Sequence, residues 1–511
     1  MALLARFFQE RPFFSSPRSL SLKAIARTST SVVALAPKEV LPFSAIPGPK
    51  GTIRNLLDYG MSRGTFFEVL EKRFDKYGPI YSEKLLDTRI VSISDVDATT
   101  NVLRREKNFQ MRPGFEAVAD IVEETGSSLG LASNDYEIWY PDRSLLSPKM
   151  LRPKDVSERY SLLNTIANEF AERAARRIGS DGVVNNIEEE LNFWTVESLA
   201  AFLFNQRLGF YDDPPDPEAV AFVNSARIML DMTGKMLHGA PFYKYFKTST
   251  YSMLKESVIE VNTRGLNILN RVLATKQEKV KTVSGHKQSL FEFLSANDKS
   301  PERMASMLVG LMSAGIDSTS ATCLWLFYEL ARNPDIQEKL YSELLSSIGP
   351  DREVSASKIP SYLKAVVKES QRLYPVAGYV VPRVFHNDID VLGYKIPAGV
   401  KIYSYEFLHS IDERYYGADA KQFVPERWMR DDAGKKREFN PFTMLPFGFG
   451  VRMCIGRRMA EALIYTVTSK LLLRYRLEYA GECELKRSLV GTFMSPDQPV
   501  LLKLIPREKE I

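Results

Sequence analysis

Apolar residues recur every three or four positions from about Glu158 to Ala331, so helices dominate that half of the chain. Strict apolar–polar alternation is confined to short pieces, "PIYSEKLLDTRIVSIS" from Pro79, "DIDVLGYKIPAGVKI" from Asp388 and the tail "QPVLLKLIP" ending at Pro506. These patterns predict one large, mainly α domain with minor β sheets, the principal sheet lying towards the N-terminal side. The segment "ERMASMLVGLMSAGIDSTSATCLWLFYELARNP", Glu302 to Pro334, is apolar almost all round, as a helix buried in a core must be. A membrane span is the competing reading. It fails on Ser313, Asp317, Ser318, Thr319, Ser320 and Thr322, which cluster where lipid would penalise them. Gly315 lies in the middle of this helix, where glycine costs about 1 kcal/mol relative to alanine, so a packing or ligand reason is expected.

The proline-rich stretch "VLPFSAIPGPKG", Val40 to Gly51, closes a hinge over residues 37–51 and marks the entry to the folded body, residues 52–511. No internal repeat or low-complexity tract follows. The polar run Thr275 to Ser289 reads as an exposed connection between helices. A single body of about 460 residues exceeds the usual domain size, and one buried prosthetic group would account for it.

Charge changes the picture at the N-terminus. The net charge is +5. Residues 1–36 carry Arg6, Arg11, Arg18, Lys23 and Arg27 against Glu10, with frequent serine and threonine, the pattern of a mitochondrial targeting presequence. Without these five bases and one acid the charge falls to about +1. Such a body gives no support to nucleic-acid binding. The three cysteines, Cys323, Cys454 and Cys483, do not make a disulfide framework, and the four histidines have no zinc-like spacing.

Candidate chemistry concentrates in "PFGFGVRMCIGRR", Pro446 to Arg458. Gly448, Gly450 and Gly456 let backbone approach a flat object where a β-carbon would clash. The sequence turns helical after Cys454, and a thiolate near a helix N-terminus is stabilised by unpaired N–H groups and the helix dipole. Phe447 can shield the sulfur, and Arg452 can reach a carboxylate at the rim of a flat ligand. These residue types fit a haem iron held by one cysteine thiolate. Phe447, Gly450, Arg452, Cys454 and Gly456 together resemble the haem-binding signature of the cytochromes P-450, and the resemblance runs from about Ile46 to the C-terminus.

The resemblance implies haem b buried between the long central helix and the cysteine-loop helix, Cys454 as the iron ligand, and dioxygen as co-substrate. Ala314-Gly315-Ile316-Asp317-Ser318 resembles the family's oxygen-groove motif, in which a small residue leaves room for dioxygen and an acid followed by an alcohol delivers protons. Most relatives place threonine after the acid; Ser318 keeps the hydroxyl without the methyl that limits its rotamers. The competing readings are a Ser318 hydroxyl bonded back one turn and an Asp317 structural salt bridge. Trp139 and Arg143, four apart, resemble a pair that binds a haem propionate; Pro141 between them predicts a helix beginning near Trp139. Arg383 resembles another propionate-contacting arginine. Glu369, Arg372 and Arg427 resemble the family's buried charge network that fixes the loop leading to Cys454.

The mitochondrial branch takes electrons from an acidic 2Fe–2S ferredoxin, itself reduced by an NADPH-dependent reductase, docking on the thiolate side. Lys364 and Lys368, on one helical face, with Arg457 and Arg458, match that partner surface. The segment Met232 to Phe246 mixes apolar and basic side chains, which fits either peripheral attachment to the inner membrane on the matrix side or a plain loop between helices. The function implied is a monooxygenase hydroxylating a lipophilic sterol, secosteroid or xenobiotic; the alternative is a haem-thiolate sensor that binds a small ligand without oxygenation. By position, substrate contacts are expected from Asn108 to Leu131, Asn205 to Gly239, Val376 to Val381 and Phe493-Met494.

Overall fold

The computed structural model describes residues 40–507 apart from 53–54, 56–57, 59–65, 107–114, 128–129, 133–135, 239–240, 280–287, 298–299, 350–351 and 432. The presequence reading, residues 1–36, and most of the connection 275–289 lie outside the described residues.

The central helix spans Pro301–Arg332. Ser300 caps it, its hydroxyl accepting the Arg303 N–H at 3.3 Å, and Pro301 takes the first helical position, where a missing N–H does no harm. Asn333 and Pro334 end it. A stretch with mean hydropathy 1.2 makes it long and apolar enough to cross a membrane, yet 72% of that stretch is buried inside the protein. Helices Ile187–Phe204, Ser249–Lys279, Ser361–Leu373 and Arg457–Leu472 pack around it. Gly315 has a packing reason: a β-carbon there would lie 2.7 Å from Leu199 Cδ1, on helix Ile187–Phe204. The glycine lets the two helices come together, which offsets its backbone cost.

The largest sheet has the order β1-β2-β6-β3: the hairpin β1 (Ile80–Leu85) and β2 (Thr88–Ile93), then β6 (Lys401–Ser404) parallel to β2, then β3 (Val380–Arg383) antiparallel to β6. Half of it therefore comes from beyond residue 379, which corrects the expectation of a sheet built near the N-terminus. Periodicity within one segment cannot reveal a parallel partner 300 residues away. Among the described residues three two-stranded ribbons accompany this sheet. They pair β4 (Ile389–Val391) with β5 (Tyr394–Ile396), β7 (Tyr475–Tyr479) with β10 (Leu502–Pro506), and β8 (Arg487–Val490) with β9 (Phe493–Pro496).

The Trp139 helix runs Tyr136–Met150, so it begins three residues earlier than expected and holds Pro141 and Pro148 inside it. Pro141 forfeits a hydrogen bond and crowds the carbonyl four residues back. Tertiary anchors hold the turn nonetheless: Trp139 is 3% exposed, and buried Asp142 accepts from Arg303 Nε of the central helix at 2.6 Å.

Candidate active site

Cys454 stands at the end of a tight loop. Its N–H donates to the Phe447 carbonyl at 2.8 Å, the Gly448 N–H to Leu445 at 2.7 Å and the Met453 N–H to Gly450 at 3.1 Å. Gly448 and Gly450 have φ of +71° and +79°, a backbone that side chains rarely adopt, and a β-carbon on Gly450 would meet Glu106 Oε2 at 2.6 Å. The Leu445 N–H donates to Glu406, whose burial pushes its pKa up to about 8. The thiol of Cys454 is exposed although Ile455 is buried, and helix Arg457–Leu472 starts three residues on, with Gly456 as its cap. The other core thiol, Cys323, is fully buried, and burial alone holds it protonated. Cys483 is exposed as well, but it lies in the bend after β7, away from the glycine loop in sequence.

Two arginines share the Trp139 ring. Arg452 lies 3.9 Å and Arg143 5.9 Å from its centroid. Arg143 is drawn from its ordinary pKa in opposite directions, down by burial and up by the charge of the Cys454 sulfur, with burial the larger effect. Trp139, Arg143, Arg452 and Cys454 therefore meet in one place, and among the described residues no carboxylate pairs with Arg143. Arg383, also predicted here, is 2% exposed and ion-pairs with Glu106 at 2.9 Å, while its Nη2 reaches the Phe449 carbonyl at 3.3 Å. It ties the cysteine loop to the end of the helix Val96–Arg104. Glu106, which does this with Gly450 against it, carries no sequence signal.

On the central helix Ala314 is exposed while Ser313 and Ile316 beside it are buried. With Gly315 turned towards Leu199, Ala314 is the small residue of the predicted motif that stays exposed. The Ser318 hydroxyl donates to the Ala314 carbonyl at 3.0 Å, the bond one turn back that competed with a catalytic reading. Its oxygen keeps acceptor capacity. Asp317 faces Arg227, Nε to Oδ1 3.7 Å, and Arg227 also holds Glu188 at 2.6 Å. Burial raises the Asp317 pKa to about 6, opposed by Arg227 and reinforced by Glu188 and Asp231.

That shift has a stability consequence. The unfolded carboxyl ionises near 3.8 and the folded one near 6, so native stability falls as pH rises through this window and stays lower above it. Asp317→Asn removes the penalty. Urea unfolding should show it more stable by about 1–2 kcal/mol at pH 7.5, allowing for the partly exposed carboxyl, with the gain shrinking as pH drops below 6. A pH-independent difference would contradict the shift.

Glu369, Arg372 and Arg427 come together as expected. Glu369 accepts from Arg372 Nε at 2.9 Å and Nη2 at 2.7 Å, from Arg427 Nε at 2.8 Å, and from the Val424 N–H at 3.0 Å. Trp428, missed in the sequence although it follows Arg427 directly, adds its indole N–H at 2.8 Å. Arg372 in turn donates to the carbonyls of Ser410 at 2.6 Å and Gln422 at 3.0 Å, and Arg427 to that of Asp419 at 3.0 Å. All three predicted members are at most 4% exposed.

Against the cysteine loop a cleft of about 650 Å³ is lined by the bases Lys364, Lys368, Lys436, Arg437 and Arg457, the acids Glu438 and Glu461, and the rings of Trp428 and Phe447. Lys364 and Lys368 are exposed. Arg457 and Arg458 both reach Glu461, at 3.0 and 3.3 Å, so their positive potential is partly cancelled from within.

A half-buried cation pair around an indole, beside an accessible thiol and a small-residue window in a core helix, suits a planar dianionic prosthetic group whose metal takes a thiolate. The chain matches the cytochrome P450 family model over residues 46–504. It belongs to the cytochrome P450 family, the haem-thiolate monooxygenases. Among curated proteins it is 29% identical to cytochrome P450 10 of Lymnaea stagnalis, over 96% of this chain and 91% of that protein. It is 27% identical to the mitochondrial cholesterol side-chain cleavage enzyme of Sus scrofa, over 97% and 95%. It is 30% identical to the probable cytochrome P450 12d1 distal, mitochondrial, of Drosophila melanogaster, over 91% of each.

Proposed function

We propose that this monooxygenase works in mitochondria, hydroxylating a lipophilic substrate of sterol, secosteroid or xenobiotic type with electrons from an acidic 2Fe–2S ferredoxin. The observation that carries the partner is the basic cleft on the thiolate side, where Lys364 and Lys368 project from helix Ser361–Leu373. Relatives named as mitochondrial, and the basic N-terminal segment over residues 1–36, support the compartment. The test is NADPH oxidation with a ferredoxin and its reductase across a panel of lipophilic substrates. Substrate-dependent turnover is expected; turnover with a diflavin reductase and none with ferredoxin would contradict the partner.

In this reading Cys454 would ligate haem b, and Arg452, Arg143 and the Trp139 indole would hold its propionates, with Arg383 holding the loop through Glu106. Bound haem supplies the reductive activation of dioxygen and the transfer of one oxygen atom to carbon. The protein does the rest. Ala314 would leave room for dioxygen, Asp317 can take and give protons near neutral pH, and the Ser318 hydroxyl, now bonded to the Ala314 carbonyl, would be the alcohol that hands protons on. Ser318→Ala is therefore expected to raise peroxide released per NADPH several-fold at unchanged substrate affinity. Unchanged coupling would leave the hydroxyl with the backbone bond as its whole role.

The loop Pro241–Thr248 fits a membrane-resting face: Tyr245 is 63% and Phe246 58% exposed, and the two adjacent rings are flanked by Lys244 and Lys247. Lipophilic substrate would enter beside it. A ligand sensor without oxygenation has no use for the basic cleft or for a proton-exchanging Asp317.

A further inference from the structure

Lys368 is exposed, but its ammonium rests on a ring. Its Nζ lies 3.7 Å from the centroid of the Trp428 ring. Phe439, with its centroid 4.9 Å away, packs against the same indole. A cation over an aromatic face is held by the ring quadrupole. It also draws electron density off the ring, which makes the indole N–H a stronger donor. That N–H is the one given to Glu369 at 2.8 Å. The docking face is thus one side chain away from the carboxylate that clamps Arg372 and Arg427, and through them the Ser410, Gln422 and Asp419 carbonyls.

Lys368 is also crowded. Desolvation, Lys436 and Arg457 push its pKa down to about 8, with only Glu369 opposing them. Glu461, the nearby acid of helix Arg457–Leu472, is occupied by Arg457 and Arg458. An arriving carboxylate therefore finds in Lys368 a cation with like charges around it and a weak aromatic hold.

We propose that Trp428 is a positioning residue for partner docking: it stores Lys368 in the free protein and surrenders it to a carboxylate of the docked ferredoxin. The transfer weakens the indole-to-Glu369 bond and so carries the docking event into the segment that fixes the cysteine loop. This rests on the reading that an acidic ferredoxin docks at the thiolate-side cleft. No atoms or electrons are exchanged in the step; one ion contact replaces one cation–π contact.

The experiment is nuclear magnetic resonance of the holoenzyme with its lysines carrying 13C-dimethyl groups, which keep the charge. One signal is expected upfield from ring-current shielding, absent in Lys368→Gln and returned to the ordinary lysine position in Trp428→Leu. Saturating ferredoxin should move that signal to the ordinary position in the wild-type protein. A Lys368 signal that is unshifted in the free protein, or that stays upfield in the saturated complex, overturns the proposal. The docking reading is tested apart, by the ferredoxin Kd of the double variant Lys364→Gln, Lys368→Gln. A Kd weakened at least about tenfold with a signal still upfield leaves docking standing and overturns the Trp428 role alone. An unchanged Kd overturns both.

Discussion

Glu369→Gln is expected to yield protein that is mostly insoluble or free of haem, with little slower-but-intact enzyme. The substitution keeps the shape and removes one charge. It leaves Arg372 and Arg427, each at most 4% exposed, with a neutral amide where a carboxylate took five hydrogen bonds. Stranding buried charge in this way costs about 3–5 kcal/mol, a large part of the 5–15 kcal/mol by which a native domain is stable. The damage is directional. Arg372 and Arg427 hold carbonyls of Ser410, Asp419 and Gln422, so the segment that delivers the cysteine loop loosens first. Soluble yield, the ratio of haem to protein and the urea midpoint read the effect. A soluble variant with full haem content and a wild-type midpoint would show that the network is incidental.

The second large effect is expected at Cys454 and should look different. Its thiol is exposed to the site, and the loop around it is closed by backbone bonds of Phe447, Gly448 and Met453 that a shorter side chain leaves intact. Cys454→Ala should therefore fold and stay soluble while losing oxygenase activity to background, because neither other cysteine belongs to the loop: Cys323 is fully buried in the central helix, and the exposed Cys483 lies in the bend after β7. Circular dichroism and thermal unfolding of the haem-free proteins separate the two cases. Collapse of Cys454→Ala like that of Glu369→Gln would mean that the cysteine acts as a core residue.

Much of this site was legible because its chemistry is local. Cys454, its glycines and Arg452 lie within one short stretch, and two of those glycines, Gly448 and Gly450, have positive φ. Glu369 and Arg372 are one helical turn apart, so their pairing could be read from spacing. What escaped the sequence is what depends on distant approach. Glu106 meets Arg383 across 277 positions, and no periodicity encodes that. The partnership of β2 with β6 is hidden for the same reason. Gly315 signalled a reason for its presence but not which one, since its neighbour Leu199 belongs to another helix. Pro141 misled in the opposite direction: the local rule predicts a helix start, and the buried Trp139 and the Asp142–Arg303 pair override it.

The most direct test of the central claim is the absorption spectrum of the reduced protein with carbon monoxide. Ligation by the Cys454 thiolate predicts the strongly red-shifted Soret band of a haem-thiolate carbonyl complex in the wild-type protein and its loss in Cys454→Ala. Folded protein that takes up no haem, or a red-shifted band that survives the Cys454→Ala substitution, would contradict the account.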